Sequence, residues 1–467
     1  MTKSIQTIAA LIGIGLIAFF TLSNPELSIN LTLIICFALL SWFRPMYALA
    51  LLLIMPIAGE FSRLELFGRS IVLSDLAVPI FTLLVIIPRH QKFQKILASH
   101  KQLKTGTYLL IIFLLIAALS LFNSLTSIPL SQILSGGQYL LRLFFYILLF
   151  PATLILAEEK PHNSRIIIKL IIASGLLIAI SGFIQLAILP SLEELAKTEG
   201  YDPHINRLVG SWLDPNYIGG FLALIISLCI SLALQIQKTR LRIYLFLIIA
   251  LLGTALFLTY SRSAYLALAF SILIIGLLRA RTVLIIAIIL GTIGISSSDR
   301  AQQRVGELAT SVGAIFFNSS ENPDPTARLR ILSWEQTINL IKEKPLLGHG
   351  YNNLSYVKTE AGYLKDNSSH SASGSDSSIL TLLATTGIIG TIPFLFFLIH
   401  LVWISWKNFQ SKIPFSSGLG LGLLSGTLGL LLHSNFVNSL FFAPIMIFLW
   451  ILFGLNYSTT SNSTQSQ

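Results

Sequence analysis

The sequence predicts an all-α fold: a polytopic transmembrane helical bundle of 12 to 14 spans, with a large external loop carrying short amphipathic helices. Three observations lead there. Hydrophobic residues make up 54% of the 467 and charged ones only 11%, against about 25% charged in soluble chains. The mean hydropathy is +0.79. Apolar runs of roughly 17–22 residues recur from end to end, and about 20 residues cross a bilayer core as a helix.

The runs lie near 5–22, 27–43, 45–58, 72–88, 107–123, 139–157, 166–187, 216–235, 241–260, 263–279, 282–297, 377–402, 414–433 and 436–455. The third is short and holds Pro56, which suits a re-entrant segment. Lys3 ahead of the first run resembles the start of a signal peptide, but no small-x-small cleavage site follows, so it reads as a retained helix. The pattern divides the chain into a transmembrane region at 1–297, an external loop at 298–376, a second transmembrane region at 377–457 and an irregular tail at 458–467.

The formal net charge of +11 would suggest a nucleic-acid partner in a soluble protein. Here the basic residues sit mainly in short loops: Arg89 to Lys104, Lys238 to Arg242, Arg279 to Arg281, and Lys407 with Lys412. Placing all of them in the cytoplasm satisfies the positive-inside bias and puts both termini inside. The loops at 124–138, 188–215, 298–376 and 434–435 then fall outside. Cys36 and Cys229 both lie in apolar spans, so neither a disulfide framework nor a zinc site is expected. The expected setting is a membrane, with lipids as neighbours and no nucleic acid as partner.

Two outer loops exceed connector length. In 298–376, Val305, Leu308, Val312 and Ile315 repeat at helical spacing, as do Trp334, Ile338 and Ile341, which predicts amphipathic helices over the bundle. Polar residues awkward for a membrane protein gather on this same outer side. They are Arg142, Arg207, Arg262, Arg328, Arg330, His370 and Asp376. Planar, permanently charged guanidinium suits phosphate oxygens, and a His or Asp can take a proton from an attacking hydroxyl. No Asp/Glu/His cluster with metal spacing accompanies them, so neither a metal nor another cofactor is expected, and arginine is the expected stabiliser of a leaving group.

Four segments in order resemble the O-antigen ligase and polymerase superfamily: "RLVGSWLDPNYIGGFL" (207–222), "LTYSRSAYLAL" (258–268), "RILSWEQTINLIKEKPLLGHGYNNL" (330–354) and "SDSSILTLLATTGIIG" (375–390). The resemblance covers about 130–455. It implies an inner-membrane glycosyltransferase with its active site on the external face. A glycan on a polyprenyl diphosphate would pass to the hydroxyl of a glycan or glycolipid acceptor, with inversion and without metal or cofactor. Arg262 and Arg330 match the arginines thought to hold the diphosphate, and Arg207 matches the arginine of the first motif. The sequence departs from the family at the base. The register counted back from Gly387 lands on Asp376, not on a histidine, and Ser377 stands in place of asparagine. Asp376 in the base role and His370 reaching in through the serine-rich "SSHSASGSDSS" both stay open, as does a drifted activity.

Each residue also has a plainer reading. Arg262 and Arg142 can be snorkelling arginines, Arg207 a hydrogen-bonding loop residue, Arg328 a surface contact, and Arg330 a solvated residue beside its helix. Asp376 stands where a helix N-cap is common, and His370 is by default a solvent-exposed histidine. His349, Gly348 and Gly350 read as structural turn residues. The rival function is a transporter or flippase of lipid-linked glycans. It would call for internal repeats and mid-depth polar groups, which the spans do not display.

Overall fold

The computed structural model describes residues 25–66, 69–199, 203–317, 325–364 and 374–464. The expected first span at 5–22 and His370 lie outside these residues. Apolar segments in lipid must satisfy their own backbone groups, and helices do so within one segment. The chain follows that rule almost throughout. It forms α1 (Pro25–Phe43), α2 (Pro45–Ile54), α3 (Leu73–Ile86), α4 (His90–Ser99), α5 (Lys101–Asn123), α6 (Leu130–Ile147), α7 (Leu149–Ala157), α8 (Asn163–Ile188) and α9 (Glu193–Glu199). Between α2 and α3, β1 (Arg63–Leu66) and β2 (Arg69–Val72) pair antiparallel, Arg63 opposite Val72.

The second half holds α10 (Pro215–Ala233), α11 (Thr239–Leu258), α12 (Arg262–Leu278), α13 (Arg281–Ser296), α14 (Asp299–Phe317), α15 (Pro325–Glu343), α16 (Leu354–Glu360), α17 (Ser378–Phe409), α18 (Pro414–His433) and α19 (Ala443–Thr464). Among the described residues eight helical stretches are long and apolar enough to cross a membrane. A ninth is counted if Arg281–Ser296 and Asp299–Leu308, bent by 114°, form one broken span. Four shorter apolar helices, Thr32–Phe43, Pro45–Ile57, Arg262–Leu278 and Ala443–Thr459, accompany them. The protein is an all-α, multi-pass membrane protein.

The helix α10 is the core. Every side chain from Ile218 to Ala233 is buried, so this helix is enclosed by protein on all sides. Glycines let α18 approach it closely: a Cβ on Gly422 would meet Leu228 Cα at 2.8 Å, and one on Gly426 would meet Leu224 Cδ1 at 2.7 Å. Such contacts hold helices together in lipid, where burial gives no hydrophobic gain between helices.

The helix α17 is broken. Gly387 has φ +63° and ψ −173°, a conformation essentially restricted to glycine. The segment at 345–350 packs into the break. Ile388 and Ile389 donate their N–H groups to Pro345 O (2.9 Å) and Leu346 O (3.2 Å), while His349 and Gly350 donate to Ala384 O (2.9 Å) and Thr385 O (3.0 Å). A buried backbone group left unpaired costs about 1–3 kcal/mol, so the loop and the break stabilise each other. His349 also binds Leu340 O through Nε2 at 2.9 Å, a structural role.

Three boundaries differ from expectation. The helix α6 starts at Leu130, since its first turns are too polar (Ser131, Gln132, Ser135) to register as a span. Part of the basic loop after Arg89 is helical, as α4. The tail expected to be irregular from 458 is helical to Thr464: Ser458 and Thr459 bond back to Leu455 O and Asn456 O, and no Gly or Pro follows Gly454 to stop the helix.

Candidate active site

Several helix ends and two loops converge over the start of α10 and enclose a cavity of about 800 Å³. Arg207, Arg262, Arg304, Arg330 and Lys358 supply positive charge to its wall; Glu60, Asp214 and Asp376 supply negative charge. The helices that begin here run away from it. The far ends of α10, α12 and α17 meet Lys238 to Arg242, Arg279 to Arg281, and Lys407 with Lys412. A helix of about 20 residues is about 30 Å long, so cavity and basic loops occupy opposite ends of the bundle.

A tight turn sets Arg262. The helix α11 ends at Leu258, Tyr260 adopts φ +48°, and the Ser261 hydroxyl caps α12 by accepting from the Ala264 N–H. Arg262 is thus the first residue of α12, a helix start rather than a surface loop. Arg207 clamps this turn: its Nε donates to Thr259 O at 2.8 Å and its Nη2 to Tyr260 O at 3.3 Å. The hydrogen-bonding role expected of Arg207 as a loop residue is therefore real, and Arg207 lines the cavity as well.

Arg262, 9% exposed, lies 3.4 Å from Glu307 Oε2, and Arg304 lies 2.8 Å from the same oxygen. Arg300 stacks over the Tyr260 ring at 4.6 Å and donates to Ile205 O and Asn206 O, which clips α14 onto the loop before α10. Burial and the neighbouring Arg304 and Arg300 push the Arg207 guanidinium down to about 10, against the pull of Asp214. Cations held this close favour an anionic ligand.

Asp376 stands just before α17. The residue capping that helix is Ser377, whose hydroxyl accepts from the Leu380 N–H at 3.3 Å, so the N-cap reading of Asp376 is corrected: the cap falls one residue later. Asp376 has φ +55°. Leu213, Tyr260 and Asp376 all line the cavity with φ of 48° to 55°; left-handed backbone costs a non-glycine residue about 1–2 kcal/mol, and such strain gathers at functional sites.

Beside Asp376 lies Lys358, 1% exposed, with Nζ donating to Ser333 Oγ at 2.9 Å and Gly374 O at 3.0 Å. Burial pushes this ammonium down to about 8 even though the Asp376 carboxylate opposes the shift. Among the described residues the imidazole lining the cavity is His204. Burial, Arg207, Arg304 and Arg300 push it down to about 3, so it is neutral at pH 7; its Nε2 is buried without a hydrogen-bond partner.

The structure brings Arg207, Arg262, Arg330 and Asp376 to one cavity. Arg328 is exposed and is not among the lining residues. Arg142 lines a neighbouring cavity, 2.9 Å from Asp75. It lies well inside α6 and is held by a carboxylate, which corrects the reading of a snorkelling arginine. Arg304, Glu307, Lys358 and His204 were not singled out by the sequence. Arg304 and Glu307 carried a signal, as an i,i+3 charge pair on an amphipathic helix, and Asp75 as a carboxylate inside an apolar run. Lys358 carried none, because ordinary surface helices hold lysines. Among the described residues no three His, Cys, Asp or Glu side chains group closely enough to hold a metal ion.

Residues 247–395 match the family model described as O-antigen ligase. The match relates the chain to an O-antigen ligase and polymerase-like family, as the four motifs suggested. The O-antigen ligase segment runs from within α11 into α17, so it contains Arg262, Arg304, Arg330, Lys358, Asp376 and the Gly387 break. Arg207, α10 and α18 lie outside it. No curated protein matches the chain. The O-antigen ligase match supports a membrane glycan-transfer role.

Proposed function

We propose that the protein transfers a glycan from a polyprenyl diphosphate to an acceptor hydroxyl, with the arginine-lined cavity holding the diphosphate and Asp376 acting as base. The observation that carries this reading is the convergence of Arg207, Arg262, Arg304 and Arg330 on the cavity that Asp376 also lines. In the step, Asp376 takes the proton of the acceptor hydroxyl. The freed oxygen bonds to the anomeric carbon, and the bond from that carbon to the diphosphate oxygen breaks. The leaving diphosphate keeps the electron pair, and the guanidiniums stabilise its growing charge. Attack opposite the leaving group inverts the anomeric centre.

Lys358 suits a base at Asp376, since a neighbouring ammonium favours the ionised carboxylate. The positive-inside bias supports a cytoplasmic setting for the end of the bundle that carries the basic loops, and with it a reading in which both chain termini are cytoplasmic. The cavity then opens on the external face of an inner membrane, where the lipid-linked glycan and a glycan or glycolipid acceptor would meet it. Arg328, exposed on α15, serves as a lipid-phosphate contact at that surface.

Purified protein supplied with lipid-linked glycan and acceptor tests the reading. Product is expected from the wild type, about 100-fold less from Arg262→Ala, the loss typical of removing one charge-stabilising donor. Absence of product from the wild type, with translocation of the lipid-linked glycan in liposomes, would instead establish a flippase.

A further inference from the structure

A second cavity adjoins the first. It encloses about 410 Å³, within the roughly 300–1,000 Å³ of ligand pockets, and Asn438 lines both. Its far wall is α6, and its near wall holds Thr381, whose hydroxyl lies 3.0 Å from Ser375 Oγ. Ser375 is the residue next to Asp376. Whatever fills the second cavity therefore stands close to the proposed base.

The chemistry of the two cavities differs. Arg142 is the charged side chain lining the second among the described residues, and its charge is already met by Asp75. The rings of Tyr139 and Tyr146 lie 5.8 and 5.6 Å from its guanidinium, and Tyr146 donates to Asp75 at 2.7 Å. The remaining wall combines amides, hydroxyls and aromatic rings with the aliphatic side chains of Leu143, Leu354, Leu382 and Met446. Two of its amide atoms are buried without a partner: Nδ2 of Asn353, a residue 2% exposed, and Oδ1 of Asn438. One offers a donor and the other an acceptor, and an unmet buried polar atom costs about 1–3 kcal/mol. An anion would prefer the arginines next door. A neutral ligand rich in hydroxyls, with apolar faces for tyrosine rings, fits here.

We propose that the second cavity binds a sugar residue, held by Asn353, Asn438 and the hydroxyls of α6 and α17, so that the arginine cavity takes the diphosphate and its neighbour takes the glycan. This rests on the glycan-transfer reading above. The sugar belongs either to the acceptor or to the donor, and kinetics separate the two.

Full-length protein in nanodiscs is offered three probes: lipid-linked glycan extracted from the producing cells, the free glycan released from it by mild acid, and bare polyprenyl diphosphate. Ser135→Trp fills the cavity from α6 and Asn353→Ala removes an amide. Both are expected to weaken binding of the free glycan about tenfold, equivalent to about 1.4 kcal/mol, and to leave bare polyprenyl diphosphate unaffected. A rise in KM for the acceptor alone assigns the acceptor sugar to the cavity, and a rise for the donor alone assigns the donor sugar. Free-glycan binding that is absent in the wild type, or unchanged in both variants, overturns the proposal. Failure of the wild type to bind bare polyprenyl diphosphate overturns the arginine-cavity reading instead, and the free-glycan probe still judges the second cavity.

Discussion

The guanidinium of Arg262 meets the carboxylate of Glu307 at 3.4 Å, and Arg304 closes on the same oxygen at 2.8 Å. One carboxylate thus holds two arginines at the cavity wall. Glu307→Gln leaves the two cations facing each other and Arg207. A drop in stability of about 1.5–3 kcal/mol is expected, the worth of a hydrogen bond to a charged group. Added inorganic diphosphate should raise the thermal midpoint of this variant more than that of the wild type, because the anion takes the place of the lost carboxylate. Equal shifts in both would show that the arginines do not form an anion site.

Arg262→Lys separates charge from geometry. Lysine keeps the charge but loses the planar fork that grips two phosphate oxygens at once. Transfer is expected to fall at least about tenfold. Activity equal to the wild type would reduce Arg262 to a source of charge alone.

The base assignment is tested by Asp376→Ala against His370→Ala in a glycan-ladder assay. Asp376→Ala is expected to abolish the ladder and His370→Ala to spare it. The reverse would move the base to His370, and loss with His204→Ala alone would move it to His204.

Lys358 predicts a pH dependence. Its ammonium is pushed down from the ordinary 10.5 to about 8 in the fold. Between about pH 8 and 10.5 the unfolded chain binds more protons at this site than the folded one, so its contribution makes stability rise with pH across that window. Below pH 8 both states are protonated and the burial cost is constant. Thermal midpoints taken from pH 7 to 10 should therefore show a rising contribution that Lys358→Met removes. An identical pH profile in Lys358→Met would contradict the depressed value.

Gly387→Ala tests the broken helix. A Cβ at this position would collide with Leu346 O, and the backbone is in a glycine-only region. The variant is expected to lose at least about 1–3 kcal/mol, seen as a lower thermal midpoint and weak accumulation in the membrane. Proteolysis should open the 345–350 segment first. Wild-type stability would mean that the break is not required.

Much of this was legible without coordinates. Low charge, long apolar runs and loop arginines fix a multi-pass helical bundle, because lipid excludes unpaired backbone and unpaired charge regardless of sequence detail. Arg207, Arg262, Arg330 and Asp376 could be singled out for the same reason: polar groups beside an apolar bundle cost free energy that only a ligand or a partner offsets. Which partner each one has could not be read, since a contact such as Arg262 with Glu307 joins residues 45 positions apart through the bend between α13 and α14. Tertiary structure alone separated Arg142 from the other arginines by pairing it with Asp75, moved the helix cap from Asp376 to Ser377, and buried Lys358 beside Asp376. Those outcomes depend on distances between distant segments, and the periodicity of one strand of sequence carries no distance beyond its own helix.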